Sequence, residues 1–155
     1  MNIFIESVLN QLHIANKSII QMLDTIDITI LDDKIGENKR TIRELLAHMA
    51  VIYKADYLIM NQASEEEMER FYSKHTLNTI DEIKDAFISN FQYLKSNVLS
   101  LESADLQVKT TSWWGVTYTK YEWLLEILGH VYHHRGQLYS TLVHMGRDPN
   151  VALFE

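Results

Sequence analysis

Seven histidines stand in a chain of 155 residues, and three of them fall in the run His130-Val131-Tyr132-His133-His134. On a helix turning about 100° per residue, His130 and His134 lie about 40° apart and one turn along. Two imidazoles so placed can ligate one metal ion, as paired histidines on helical zinc sites do. His133 points some 100° away from His134 and cannot easily share that ion. Trp123, Ile127, Leu138 and Met145 share the sector of the pair, so the pair sits at the edge of a core-facing stripe. In the segment from Thr41 to Met60, Leu45, Ile52, Ala55 and Ile59 likewise share their sector with His48. Two inward histidines on one helix and one on another make a three-nitrogen site. The competing reading is that each is a hydrogen-bonded core residue.

Other chemistry is excluded or weak. The chain has no cysteine, hence no disulfide, no thiolate site and no cysteine nucleophile. It has no His-Glu-x-x-His and no Glu-x-x-His, since Glu44 and Glu126 stand four residues before His48 and His130. A zincin protease and a ferritin-like di-iron centre are therefore poorly matched. No motif supports a serine-histidine-acid triad. Candidate helpers surround the histidines. Asp56 is an odd carboxylate on the apolar side of its helix, able to orient a ligand or take a proton; pairing with an arginine such as Arg135 is the preferred expectation. Glu126 lies near the histidine sector, where a base or a solvated face is possible, the latter favoured. Gln137, one turn beyond His134, is placed to touch a substrate or cap a pocket. Trp113 and Trp114 could wall that pocket, with core packing as the alternative, and Trp123 joins the same group. His13, His75 and His144 have no spacing partner and read as structural or exposed.

These residues need helices to position them, and the helix starts are legible. A capping box, Ser or Thr followed three residues on by Glu, satisfies two orphan backbone donors. It occurs at Thr41/Glu44, Ser64/Glu67, Thr79/Glu82 and Thr119/Glu122. Apolar periodicity follows three of them, over roughly 42–60, 80–101 and 120–145, and a first helix spans about 3–24. The acidic stretch after Ser64 reads as a short connector helix. Thr110 to Tyr118, β-branched and aromatic around Gly115, reads as an extended loop or small hairpin. The last helix ends at Gly146 with Pro149 beyond it. The expected fold is all-α, a four-helix bundle forming one domain over residues 1–155.

The pattern His130-x3-His134-Arg135-Gly136-Gln137-Leu138, followed by Met145-Gly146-Arg147-Asp148-Pro149, resembles the C-terminal signature of the DinB-like metal-binding four-helix bundles. Leu45-Leu46-Ala47-His48 is similar to the segment carrying that family's first ligand. The resemblance spans nearly the whole chain and implies that His48, His130 and His134 bind one divalent ion, nickel or zinc. Arg135 and Gly136 match the family run but point away from the metal sector. Three neutral imidazoles leave coordination positions open, as catalytic sites do. The resemblance implies a metal-dependent enzyme, such as a transferase using a low-molecular-weight thiol cosubstrate like bacillithiol or mycothiol. A metal-dependent hydrolase and a non-catalytic metal-binding stress-response protein are the alternatives.

Composition sets the partners. The formal charge of -7 disfavours nucleic acid and anionic lipid, leaving a small-molecule substrate. No apolar stretch approaches a membrane span and no signal peptide is visible, so a cytoplasmic protein is expected. Leu125, Tyr132, Tyr139 and Val143 form a second apolar strip on the last helix. A homodimer through that helix is the expected cover, with the connector near Ser64 as the alternative.

Overall fold

The computed structural model describes residues 2–36 and 40–154. Four long helices carry the architecture: α1 (Ile3–Leu23), α2 (Ile42–Met60), α4 (Ile80–Val98) and α5 (Lys120–His144). A short helix α3 (Glu65–Ser73) links α2 to α4, and strands β1 (Lys109–Thr111) and β2 (Thr117–Thr119) form an antiparallel hairpin before α5. Three-residue 3-10 turns, Ile28–Ile30 and Asp105–Gln107, lie in the two longer connections. This is the expected all-α bundle with its connector helix, and of the extended loop or hairpin expected before the last helix it is the hairpin that forms.

All four capping boxes form. At Thr41, Ser64, Thr79 and Thr119 the hydroxyl accepts from the backbone of the glutamate three residues on, whose carboxylate accepts from the cap's own N–H. At the other end of α5, Gly146 takes a left-handed φ of 74°, and its N–H donates to Val143 while that of Arg147 donates to Leu142. This is a Schellman stop. α2 ends with the same pair of bonds, but the left-handed residue is Gln62, at a φ of 66°.

Each of α1 and α2 packs against both α4 and α5. The helices therefore run around the bundle as α1, α4, α2, α5, and the consecutive pairs α1/α2 and α4/α5 sit on diagonals. Those diagonal crossings use the long connections 24–41 and 99–119, whereas the adjacent α2 and α4 are joined through α3. Apolar residues from all four helices close the centre, among them Leu12, Ile19, Leu46, Phe87 and Ile127. Two buried amides tie the pairs together. Tyr53 donates to Asn16 at 3.2 Å, and Asn90 donates to the Ala50 carbonyl at 2.8 Å. At the hairpin, Gly115 holds a φ of 94° and its N–H donates to Ser112, which turns the chain between the strands.

The second apolar strip of α5 is covered in its middle from within the chain, though not by the connector. Tyr132 donates to Gln11 of α1 and has its ring 6.5 Å from Phe154 of the C-terminal tail. Leu125 and Val143, at 43% and 42% exposure, remain open. Among the described residues, no helix is long and apolar enough to cross a membrane.

Candidate metal centre

α2 contributes His48 and α5 contributes His130 and His134, the two helices meeting along their lengths. The three Nε2 atoms converge: His48 Nε2 lies 3.3 Å from that of His130 and 3.1 Å from that of His134. Two nitrogens sharing a tetrahedral ion at about 2.0–2.1 Å stand roughly 3.3–3.4 Å apart, so the spacing fits a common ion. All three side chains are half-buried, and their donor atoms all fall within 4.8 Å of one another.

The outer nitrogens explain why the inner ones converge. His130 Nδ1 donates to Asp56 Oδ2 at 2.7 Å, and His134 Nδ1 donates to Gln137 Oε1 at 2.8 Å. A proton held on Nδ1 leaves the Nε2 lone pair free, which is the tautomer a metal needs. Asp56 comes from α2, so its bond to His130 also ties the two histidine-bearing helices together.

Burial first of all, with the positive charge of Arg40 and the neighbouring imidazoles, pushes His48 down to about 3. His134 is also lowered, chiefly by burial, against the opposing bond from Gln137. Burial lowers His130 as well, but the hydrogen bond and charge of Asp56, with the charge of Glu126, outweigh it and leave the group raised. His48 and His134 are thus neutral near pH 7, the state in which imidazole ligates.

Beside this cluster opens a cavity of about 470 Å³, with His130 and Asp56 in its wall. Trp123, buried on α5, forms part of the lining, and the hairpin tip brings up Trp113 and Trp114. These two rings meet edge to face at 5.1 Å and are each 48% exposed, so neither is a core residue. Glu126 is exposed as a side chain and yet borders the cavity.

Two expectations need correction. Asp56 does not pair with Arg135. Arg135 is buried on another face of α5, its guanidinium 4.2 Å from the Tyr132 ring, 5.2 Å from that of Phe154, and donating to Ser18. Its place among Leu45, Met49 and Ile52 put Asp56 on the apolar side of α2, but only the crossing of α2 and α5 shows that His130 is what it meets. Gln137 is not part of the cavity lining; it holds His134 instead. The remaining histidines are as expected: His13 stacks at 6.0 Å on Phe91, His75 bonds the Phe71 carbonyl, and His133 and His144 are exposed. The sequence reading missed α3 as a wall. Glu65, Met68, Glu69 and Tyr72 face the cavity, a spacing of one helical face that the density of acidic residues masked.

A sequence model of the DinB family matches residues 1–153. The chain belongs to the DinB family. A DinB-family structure from Exiguobacterium sibiricum superposes with a TM-score of 0.89 at 28% identity, covering 99% of each chain. DinB-like folds of lower identity follow. YfiT from Bacillus subtilis, described as a probable metal-dependent hydrolase with an unusual four-helix bundle topology, gives 0.74 at 12% identity over 92% of this chain and 87% of that one. A mycothiol-dependent maleylpyruvate isomerase gives 0.68 at 19%, covering 89% of this chain and 63% of the isomerase. At such identities these two share the fold. No functionally curated protein matches this DinB sequence.

Proposed function

We propose that this DinB-family chain is a metal-dependent enzyme that holds one divalent ion, nickel or zinc, through His48, His130 and His134 and acts on a small molecule in the adjoining cavity. The observation that carries the reading is that three converging imidazoles open, through His130, onto a cavity large enough for a substrate. A non-catalytic metal binder has no need of that space. When bound, the ion supplies Lewis-acid chemistry, lowering the pKa of a water or thiol and polarising a substrate oxygen.

The protein's own groups do the rest. Asp56 and Gln137 hold the His130 and His134 rings with Nε2 inward. Trp123, Trp113 and Trp114 give the substrate an apolar wall and exclude water from one side. Glu126, close enough to raise the His130 pKa and free of ion pairs among the described residues, accepts the proton of the attacking nucleophile on a carboxylate oxygen. With water as the nucleophile the enzyme is a hydrolase, the reading Glu126 favours and the description of YfiT parallels. The second reading is S-transfer from a low-molecular-weight thiol. It is favoured by the absence of cysteine, so any sulfur nucleophile must come from outside.

The test is elemental mass spectrometry on untagged protein purified without chelator, beside His134→Ala, followed by turnover of chromogenic esters and electrophiles. About one ion per chain, lost in the variant, is expected. Turnover that needs metal and Glu126 but no thiol identifies the hydrolase. Dependence on added thiol identifies the transferase. No uptake of nickel or zinc overturns both and returns the histidines to the core. The same proposal includes a homodimer through α5, supported by exposed Leu125 and Val143; a single-chain mass in sedimentation velocity counts against that part alone.

A further inference from the structure

Four carboxylates border the cavity, those of Asp56, Glu65, Glu69 and Glu126, and no lysine or arginine lines it among the described residues. Asp56 is engaged with His130, but Glu65, Glu69 and Glu126 enter no ion pair among the described residues. Carboxylates on a helix surface would by themselves mean only solvation. Here they ring a hollow whose other wall is aromatic: Tyr72, Trp113, Trp114 and Trp123.

The half-exposed indoles of the hairpin tip stand edge to face rather than stacked on each other, and Trp114 meets Trp123 in the same way at 6.5 Å. Each edge-to-face contact covers at most one face of a ring, and both hairpin indoles stay about half exposed. Indole is the best of the side-chain faces for a cation, and low-dielectric walls focus the field of nearby carboxylates into the space between them. Away from the histidine end, an anionic ligand would face the carboxylates of Glu65, Glu69 and Glu126 with no lysine or arginine to pair with among the described residues. A neutral one would gain nothing from those carboxylates. Both descriptions point to one ligand chemistry.

We propose that the cavity selects an organic cation, an ammonium group on a small apolar body, as the substrate class of this site. The inference rests on the metal-dependent reading, since the cavity is taken as that enzyme's substrate site. A divalent ion at the histidines repels a cation from the His130 end. The ammonium therefore lies against Glu65 and Glu69 of α3, the wall element that bears no metal-ligand histidine, and the reacting end of the molecule turns toward His130. Glu65 and Glu69 stand one turn apart on the same face of α3, so both reach the same ligand charge.

The probe is benzyltrimethylammonium, whose quaternary nitrogen cannot ligate a metal, compared with neutral benzyl alcohol and anionic phenylacetate. Binding to the full chain is read by tryptophan fluorescence and by the NMR shifts of the Trp113 and Trp114 indole N–H groups. The cation is expected to bind at least about tenfold more tightly than either comparison compound. In Glu65→Gln/Glu69→Gln that preference should collapse while the affinity for benzyl alcohol stays as it was. Both positions are exposed on a surface helix, so folding is expected to be retained, and unchanged benzyl alcohol binding verifies it. Equal affinity for cation and alcohol, preference for phenylacetate, no saturable binding of the cation, or an unaltered preference in the double variant overturns the proposal. Metal content measured on the same samples separates the two readings. Loss of the cation preference with metal retained removes only this inference, and a cation preference without metal uptake removes only the metal-dependent enzyme.

Discussion

At the scale of single residues, the contacts that set the site are the ones behind the imidazoles. The Asp56 bond to His130 and the Gln137 bond to His134 fix which nitrogen carries the proton. Replacing such a partner typically costs about ten- to a hundredfold in metal affinity. Asp56→Asn is therefore expected to weaken nickel or zinc binding by that factor in a chelator competition, with helicity retained. Proton binding supplies a second prediction. His48 falls from 6.5 to about 3 on folding, so between those values the unfolded chain binds the proton more readily. Its contribution to stability is complete above about 6.5 and is lost as pH falls toward about 3. His134 shifts in the same direction. His130 is raised and acts oppositely, stabilising below 6.5 and losing that contribution as pH rises through its folded value. The metal-free protein should thus show a falling urea midpoint on acidification through that window. His48→Gln should flatten the dependence, and an unchanged slope would show that His48 is not the group responsible.

At the scale of elements, α5 carries two of the three imidazoles, Trp123 and Glu126, and its first turn is anchored by Thr119. The hydroxyl accepts from Glu122 N–H at 3.2 Å, and the Glu122 carboxylate accepts from Thr119 N–H at 2.7 Å. Losing an N-cap of this type costs about 1 kcal/mol, with a range of roughly 0.5–2. Thr119→Ala should lower stability by that amount in chemical denaturation, without changing metal stoichiometry, because His130 lies three turns further along. The helix starts were legible because a capping box is a local device: four residues satisfy one another's backbone groups wherever the helix later packs. The role of α3 was not legible for the converse reason. Glu65, Glu69 and Tyr72 share a helical face in the sequence, but a face has no meaning until something lies opposite it. What lies opposite is a hairpin tip more than forty residues later in the chain.

At the scale of the whole molecule, the diagonal placement of α1/α2 and α4/α5 brings the histidine-bearing helices α2 and α5 side by side. An order following the chain around the bundle would place α2 beside α1 and α4, and would separate His48 from His130 by the width of the core. Because the long helices share one apolar centre, we expect residues 1–155 to unfold as one cooperative unit. Thermal melts should show a single transition that moves up when nickel or zinc is added, by mass action on the folded state. In His134→Ala the same melt should be insensitive to metal. Two separated transitions would refute the single-domain expectation.

The residues themselves determined the helices, their capping-box starts, the stop at Gly146, and the inward aspect of His48, His130 and His134. Each of those depends on 3.6-residue periodicity or on bonds spanning a few positions, and such information is local. Only the tertiary structure decided that Asp56 meets His130 rather than Arg135, that Gln137 holds His134 instead of lining the cavity, and that α3 closes the pocket. Those outcomes depend on which faces of distant helices are brought together by two long crossing connections. A single sequence encodes that in the sum of its packing energies, with no short motif from which it can be read.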